Sequence, residues 1–193
     1  MQAAVSDREA IHWVLQDGFG DKLPSELRVV YEKLVAMANE GVRQNKSSDT
    51  MLPLSMTSQL GYPANTPVSC RRFLSLISPE SPQSPGEDDM FSSDLSSKQL
   101  AKTFGMVSQR GLLKHKLMVL SSGADQAVPD WVDKENMLSR WQNATDNNGV
   151  NQIWDQEHSG IIPGASHALG NDDQAEPRKF LVKKVLGFLA GTK

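Results

Sequence analysis

Apolar residues recur at helical spacing in several separate stretches of this chain, divided by polar ribbons rich in proline, glycine and asparagine. From Ser6 to Gln16, Ile11, Val14 and Leu15 share one face. Ser6 is placed to cap the first turn with Glu9 three residues on, and Gly18 to end the helix. Pro24 to Asn39 carries the widest stripe: Leu27, Val30, Tyr31, Leu34, Val35 and Ala38. Pro24 suits the first turn and Gly41 marks the end. A polar loop follows over 43–50. Met51 to Gly61 predicts an extended piece at Pro53 and then a short helix. Pro63 and Pro67 break the chain before Val68 to Ile77, a helix with Val68, Phe73, Leu74 and Ile77 inside and Arg71 and Arg72 outside.

The proline- and acid-rich stretch Ser78 to Asp94 reads as a flexible linker. Beyond it, Ser96 to Phe104 predicts a helix and Gly105 a turn. Ser108 to Leu120 predicts a second helix, or a helix leading into a strand, because the unbroken run Leu117 to Leu120 fits either period. Val132 to Trp141 predicts a short helix. Gln142 to Glu176 is polar, with the apolar islands Ile153-Trp154 and Ile161-Ile162. Pro177 to Ala190 predicts a basic amphipathic helix presenting Phe180, Leu181, Val185, Phe188 and Leu189. The fold expected is mainly α: a small helical bundle with helix-turn-helix-like units, long polar loops and a C-terminal amphipathic helix. Its parts are a helical domain over 1–78 of winged-helix or helix-turn-helix type, a linker over 79–93, a second helical unit over 94–141, an extended polar segment over 142–176 and a tail helix over 177–193.

Composition refines this picture. The 193 residues suit one domain or a little more, and the net charge of -3 argues against tight non-specific binding to a polyanion. Charge is blocked, however. Lys98, Lys102, Arg110, Lys114 and Lys116 face Asp94 alone in the stretch 94–121. The stretch 122–177 is strongly acidic, and 178–193 has bases and no acid. Such blocks fit pairing within the chain, charged partners, or solvated faces on different elements. A single cysteine, Cys70, excludes an internal disulfide and a cysteine zinc site within one chain, and favours a cytoplasmic setting. The first residues lack the basic and apolar regions of a secretory signal, and no run is long enough for a transmembrane helix.

Two stretches resemble helix-turn-helix units, Met56 to Ile77 and Leu95 to Leu120. In the second, Leu100, Ala101, Phe104, Gly105 and Met106 fall where that motif needs small and apolar residues. Gly111 inside its second helix and Lys114 at an apolar position depart from it. The motif implies phosphate contacts by Lys98, Lys102, Arg110, Lys114 and Lys116, with Arg71 and Arg72 in the first unit, and base-edge contacts by Ser108 and Gln109. The alternative is an ordinary helical hairpin with a solvated basic face.

Catalytic signals are sparse. The chain has no Gly-x-Ser-x-Gly elbow, phosphate-binding loop, dinucleotide fingerprint or Cys–His pairing. His12, His115, His158 and His167 lack metal-ligand spacing and read as surface histidines. Asp88-Asp89 and Asp172-Asp173 read as solubilising charges in loops. Ala144 to Glu157 has the glycine of a calcium loop but not its first carboxylate, so it reads as an Asn/Asp-rich turn. No metal or cofactor is expected. The reading that follows is a non-catalytic, nucleic-acid-associated accessory or regulatory protein. The alternative is an adaptor or structural subunit of a larger assembly, a homo- or hetero-oligomer, whose residues Trp154, Ile161, Ile162, Phe180, Leu181, Val185, Phe188 and Leu189 wrap onto protein partners.

Overall fold

The computed structural model describes residues 1–2, 4–44 and 50–191, so the loop predicted over 43–50 and the end of the tail lie mostly outside the described residues. The chain forms two compact units. One is Ser6–Ser92; the other joins Met1–Val5 to Ser93–Lys193.

The first unit is helical: α1 (Asp7–Asp17), α2 (Pro24–Arg43), α3 (Leu54–Thr57) and α4 (Cys70–Ile77). Three of these starts have a local side-chain cause. The Ser6 hydroxyl accepts the Glu9 N–H at 3.1 Å, and the Ser69 hydroxyl accepts that of Arg72 at 3.2 Å. The Glu26 carboxylate accepts the Leu23 N–H at 2.8 Å before α2. The predicted stripe is the core: Ile11, Val14 and Leu15 meet Leu27, Leu34 and Ala38, with Phe73 and Ile77 from α4. Gly41 does not end α2, which runs on to Arg43. A Cβ there would stand 2.7 Å from the Cys70 sulfur, so glycine lets α4 pack close.

The stretch expected as a flexible linker is tied down instead. Asp89 is buried, accepts the Arg8 Nε at 3.0 Å, and is bonded by the Ser81 and Ser92 hydroxyls. Ser6 and Ser92 share a further hydroxyl bond of 2.6 Å. Asp89 is thus an internal counter-ion rather than a solubilising charge.

The second unit departs furthest from a helical bundle. It contains α5 (Ser97–Lys102), α6 (Phe104–Gln109), β1 (Leu120–Ser122), α7 (Lys134–Thr145), β2 (Gly160–Ile162) and α8 (Ala175–Ala190). β1 and β2 pair in parallel, Leu120 opposite Gly160 and Ser122 opposite Ile162. Gln2 makes a further parallel bridge to Leu120. The architecture is α/β, and the expected mainly α bundle is corrected accordingly. Parallel strands need a crossover, and α7 supplies it.

The second helix-turn-helix unit does not exist as such. Gly105 lies inside α6, and the chain turns at Gly111 with φ of 58°. Of the two readings of Ser108–Leu120, a helix or a helix leading into a strand, the second is nearer: α6 ends at Gln109, and turn and extended chain lead into β1. The run Leu117 to Leu120 obeys the strand rule for a covered parallel sheet: Val119 and Leu120 are both buried. Trp141 of α7 stacks on Phe104, ring centroids 4.8 Å apart.

The acidic turn after α7 uses Asp146 on its own backbone, accepting the N–H groups of Ile153 and Trp154 at 2.8 Å each, with Asn147, Asn148 and Gly149 left-handed. Leu120, Ile162, Ala165 and Leu169 form the core beneath α8, whose Phe180 and Leu181 close over them. No helix among the described residues is long and apolar enough to cross a membrane.

Candidate active site

The carboxyl ends of adjacent parallel strands are where open α/β sheets place their chemistry. Here each strand leads into a turn carrying one functional side chain. β1 runs through Gly123 and Ala124 to Asp125. The Gly123 N–H donates to the Ile162 carbonyl at 2.9 Å, and the Ala124 N–H to the Ala165 carbonyl at 2.9 Å. A Cβ on Gly123 would come within 2.8 Å of the Ile162 oxygen, so this close approach needs glycine. The Lys134 ammonium, at the start of α7, donates to the carbonyls of Ser122 and Gly123 at 3.0 and 2.9 Å. β2 leads through a turn with Gly164 at φ of 66° to His167.

Asp125 and His167 meet across this gap. The imidazole Nδ1 lies 3.1 Å from Asp125 Oδ2. Asp125 Oδ1 accepts the Ala127 N–H at 2.9 Å. The carboxylate is 1% exposed and the imidazole 39%. A buried carboxylate on Nδ1 holds the proton there and leaves Nε2 as the basic nitrogen, on a ring partly open to solvent. The backbone of His167 is fixed too: its N–H donates to Gln126 Oε1 at 3.1 Å, and Gln174 bonds the preceding turn. A cleft of about 470 Å³ opens beside Asp125, lined by Gln126, Val128, Pro129, Asp130 and Lys134 among others.

A second pair, His158 and Asp155, is local. Nδ1 and the backbone N–H of His158 both reach Asp155 Oδ1, at 2.9 and 2.8 Å. Burial pushes the Asp155 carboxyl up, but the His158 backbone N–H, its ring and the Lys116 charge outweigh it, and the carboxyl sits below its ordinary range. The ring lies edge-on to Phe188 of α8. This pair packs a helix against a turn. Among the described residues no three His, Cys, Asp or Glu side chains converge to hold a metal ion.

The residues predicted to bind nucleic acid are dispersed. Lys98 and Lys102 lie on α5, Ser108 and Gln109 end α6, and Arg110, Lys114 and Lys116 follow it on turn and extended chain. The Ser108 hydroxyl is bonded to the Gly105 carbonyl, and Arg71 and Arg72 belong to the other unit, where Arg72 pairs with Asp88. They form no recognition helix.

Of the residues expected to meet partners, Trp154 and Ile162 are buried and Phe180 and Leu181 pack inward. Ile161, Val185 and Phe188 are half-buried, and only Leu189 is well exposed. Asp125 and His167 escaped the sequence reading. Their signal was an apolar run followed by Gly-Ala-Asp, and a second apolar island followed closely by histidine, which gains meaning only once both runs are parallel strands.

The chain is similar to several known proteins. The chain is 68% identical over 191 residues to the fusarinine C esterase sidJ of Aspergillus fumigatus, covering 98% of this chain and 53% of that protein. It is 52% identical over 193 residues to the esterase AN6793 of Emericella nidulans, covering 98% and 51%. Among solved structures it resembles the siderophore hydrolase EstB from Aspergillus fumigatus, with a TM-score of 0.89 and 66% identity over 99% of this chain and 56% of that one. The chain thus spans about half the length of the curated relatives it matches. Relatives named as esterases and a hydrolase overturn the expectation of a non-catalytic, DNA-binding accessory or adaptor subunit, and with it the nucleic-acid and wrapped protein partners. A family model described as "Protein of unknown function (DUF1749)" matches residues 1–190, and this chain belongs to that family.

Proposed function

We propose that this chain carries the acid and the base of a serine-type ester hydrolase, with Asp125 orienting His167 and His167 acting as general base. The observation that carries the reading is the Asp125–His167 bond at the carboxyl ends of two adjacent parallel strands. Acid before histidine along the chain is the order of the α/β-hydrolase triad, in which the nucleophilic serine comes earlier still. No serine here sits in a Gly-x-Ser-x-Gly elbow, and Ser121 and Ser122 are buried within β1. The nucleophile in this proposal belongs to the length of the relatives that this chain does not span.

His167 Nε2 takes the serine hydroxyl proton as the oxygen attacks the ester carbonyl. The imidazolium, steadied by Asp125, returns that proton to the departing alcohol and leaves an acyl-serine. Water then attacks by the same route in reverse, releasing the acid and restoring the serine. The names of the relatives point to the ester bonds of a siderophore of the fusarinine type as substrate. The cytoplasm is the compartment proposed, supported by the single buried Cys70 alone.

The test is ester hydrolysis by the full-length protein, followed on a 4-nitrophenyl ester and on a fusarinine-type siderophore. His167→Ala and Asp125→Asn should each lower kcat by about 10³–10⁴-fold while the fold persists. Wild-type turnover by His167→Ala would sink the proposal.

A further inference from the structure

A base held to its acid by one bond still needs its backbone fixed, because a displacement of about 1 Å can lower turnover on the order of 100-fold. Gln174 stands where that control would come from. It is buried at the end of a short 3-10 turn, Asp172–Gln174, immediately before α8. Both ends of its carboxamide are used: Oε1 accepts the Ser166 N–H at 2.7 Å, and Nε2 donates to the Gly164 carbonyl at 3.3 Å. One side chain therefore grips the turn between β2 and His167 at two points. The turn's own hydrogen bond, Ala165 N–H to the Ile162 carbonyl, is long at 3.2 Å. The helix behind Gln174 is packed in place: Phe180 and Leu181 rest on the cluster that includes Ala165 and Leu169, residues on either side of His167. Arg178 adds a third tie, donating to the carbonyls of Leu169 and Asn171 at 2.8 Å each.

We infer that Gln174 is a positioning residue for His167, transmitting the fixed place of α8 to the imidazole through a two-point carboxamide clamp. This rests on the reading of His167 as general base. A group that acts by aim rather than by binding substrate changes kcat and leaves KM alone.

The decisive variant is Gln174→Met, which keeps the length and burial of the side chain and removes both hydrogen bonds. In the full-length protein acting on a 4-nitrophenyl ester, kcat should fall about 10–100-fold with KM within about twofold. The low-field proton resonance of His167 Nδ1–H should broaden or vanish. Gln174→Glu keeps the acceptor for Ser166, so its kcat should lie between those of wild type and Gln174→Met. Wild-type kcat and an unchanged low-field proton in Gln174→Met, with His167→Ala inactive, would overturn the inference and leave the active-site reading standing. An active His167→Ala would remove that reading itself. Should Gln174→Met not fold, Gln174→Glu decides by the same two readouts: reduced kcat with unchanged KM supports the clamp, and wild-type values overturn it.

Discussion

At the scale of single residues, burial separates the acids that act from those that solvate. Asp89 lies in the most polar-looking stretch of the chain, yet its side chain is 1% exposed, and that of Arg8, its partner, is 4% exposed. Removing one member of such a pair strands charge in a low-dielectric interior, at a cost of about 3–5 kcal/mol. Asp89→Ala should therefore lower the urea midpoint sharply, and the double variant Arg8→Met/Asp89→Ala should recover part of the loss. Equal midpoints for the two would show that the pair is not coupled. Composition hid this residue because Asp88-Asp89 reads the same whether solvated or buried. It is the partner eighty-one positions away that decides, and no local window contains it. His167 was hidden likewise: its acid lies forty-two positions upstream. The caps at Ser6, Ser69 and Ser96 need only three residues of context, and the sequence foretold the one at Ser6.

At the scale of elements, helices were legible where an amphipathic stripe was long, while of the strands only β1 was glimpsed, as one of two readings of the run Leu117 to Leu120. α2 packs its apolar face as its spacing implied. β1 and β2 are three residues each, too short for a period to declare itself, and their parallel pairing depends on the crossover between them. α8 was found by its pattern, and four of the five residues assigned to its apolar face lie on the covered side: Phe180 and Leu181 turn inward and Val185 and Phe188 are half-buried, while Leu189 is 54% exposed.

Gly187 shows how tightly α8 is seated. A Cβ there would lie 2.5 Å from His158 Nε2, and that ring is fixed by Asp155 and bounded by Phe188. Overpacking costs about 1–3 kcal/mol, against a helix-propensity gain of about 1 kcal/mol for alanine over glycine. The clash should win narrowly, so Gly187→Ala should lower Tm by a few degrees, on the order of 2–4 °C per kcal/mol. Adding His158→Ala should make the same glycine substitution neutral or stabilising. A raised Tm in Gly187→Ala alone would show that the ring moves aside freely.

At the scale of the molecule, each unit carries an acid whose pKa is displaced, and the two are displaced in opposite directions. In the helical unit, burial raises Asp7 above its ordinary value, and the nearby Tyr62 and Arg72 only partly offset this. A carboxyl with a raised folded pKa binds its proton more tightly in the native state. Its contribution to stability is fully present below the ordinary value, about 4, and is lost as pH rises towards the raised one. Asp155, in the sheet-containing unit, is lowered on balance: burial raises it, and the bonds and charge from His158, with Lys116, more than compensate. Its contribution is present above about pH 4 and lost as pH falls through the folded value. Unfolding free energies measured across the acid range therefore carry two opposite signatures. Relative to Asp7→Asn, the wild type should lose stability as pH rises above the ordinary carboxyl value of about 4. Relative to Asp155→Asn, it should gain stability as pH rises towards that value from below. Parallel curves for either variant and wild type would show that the carboxyl in question titrates alike in the folded and unfolded chain. Crossed signs would place the burial of Asp7 or the His158 bonds of Asp155 elsewhere than described.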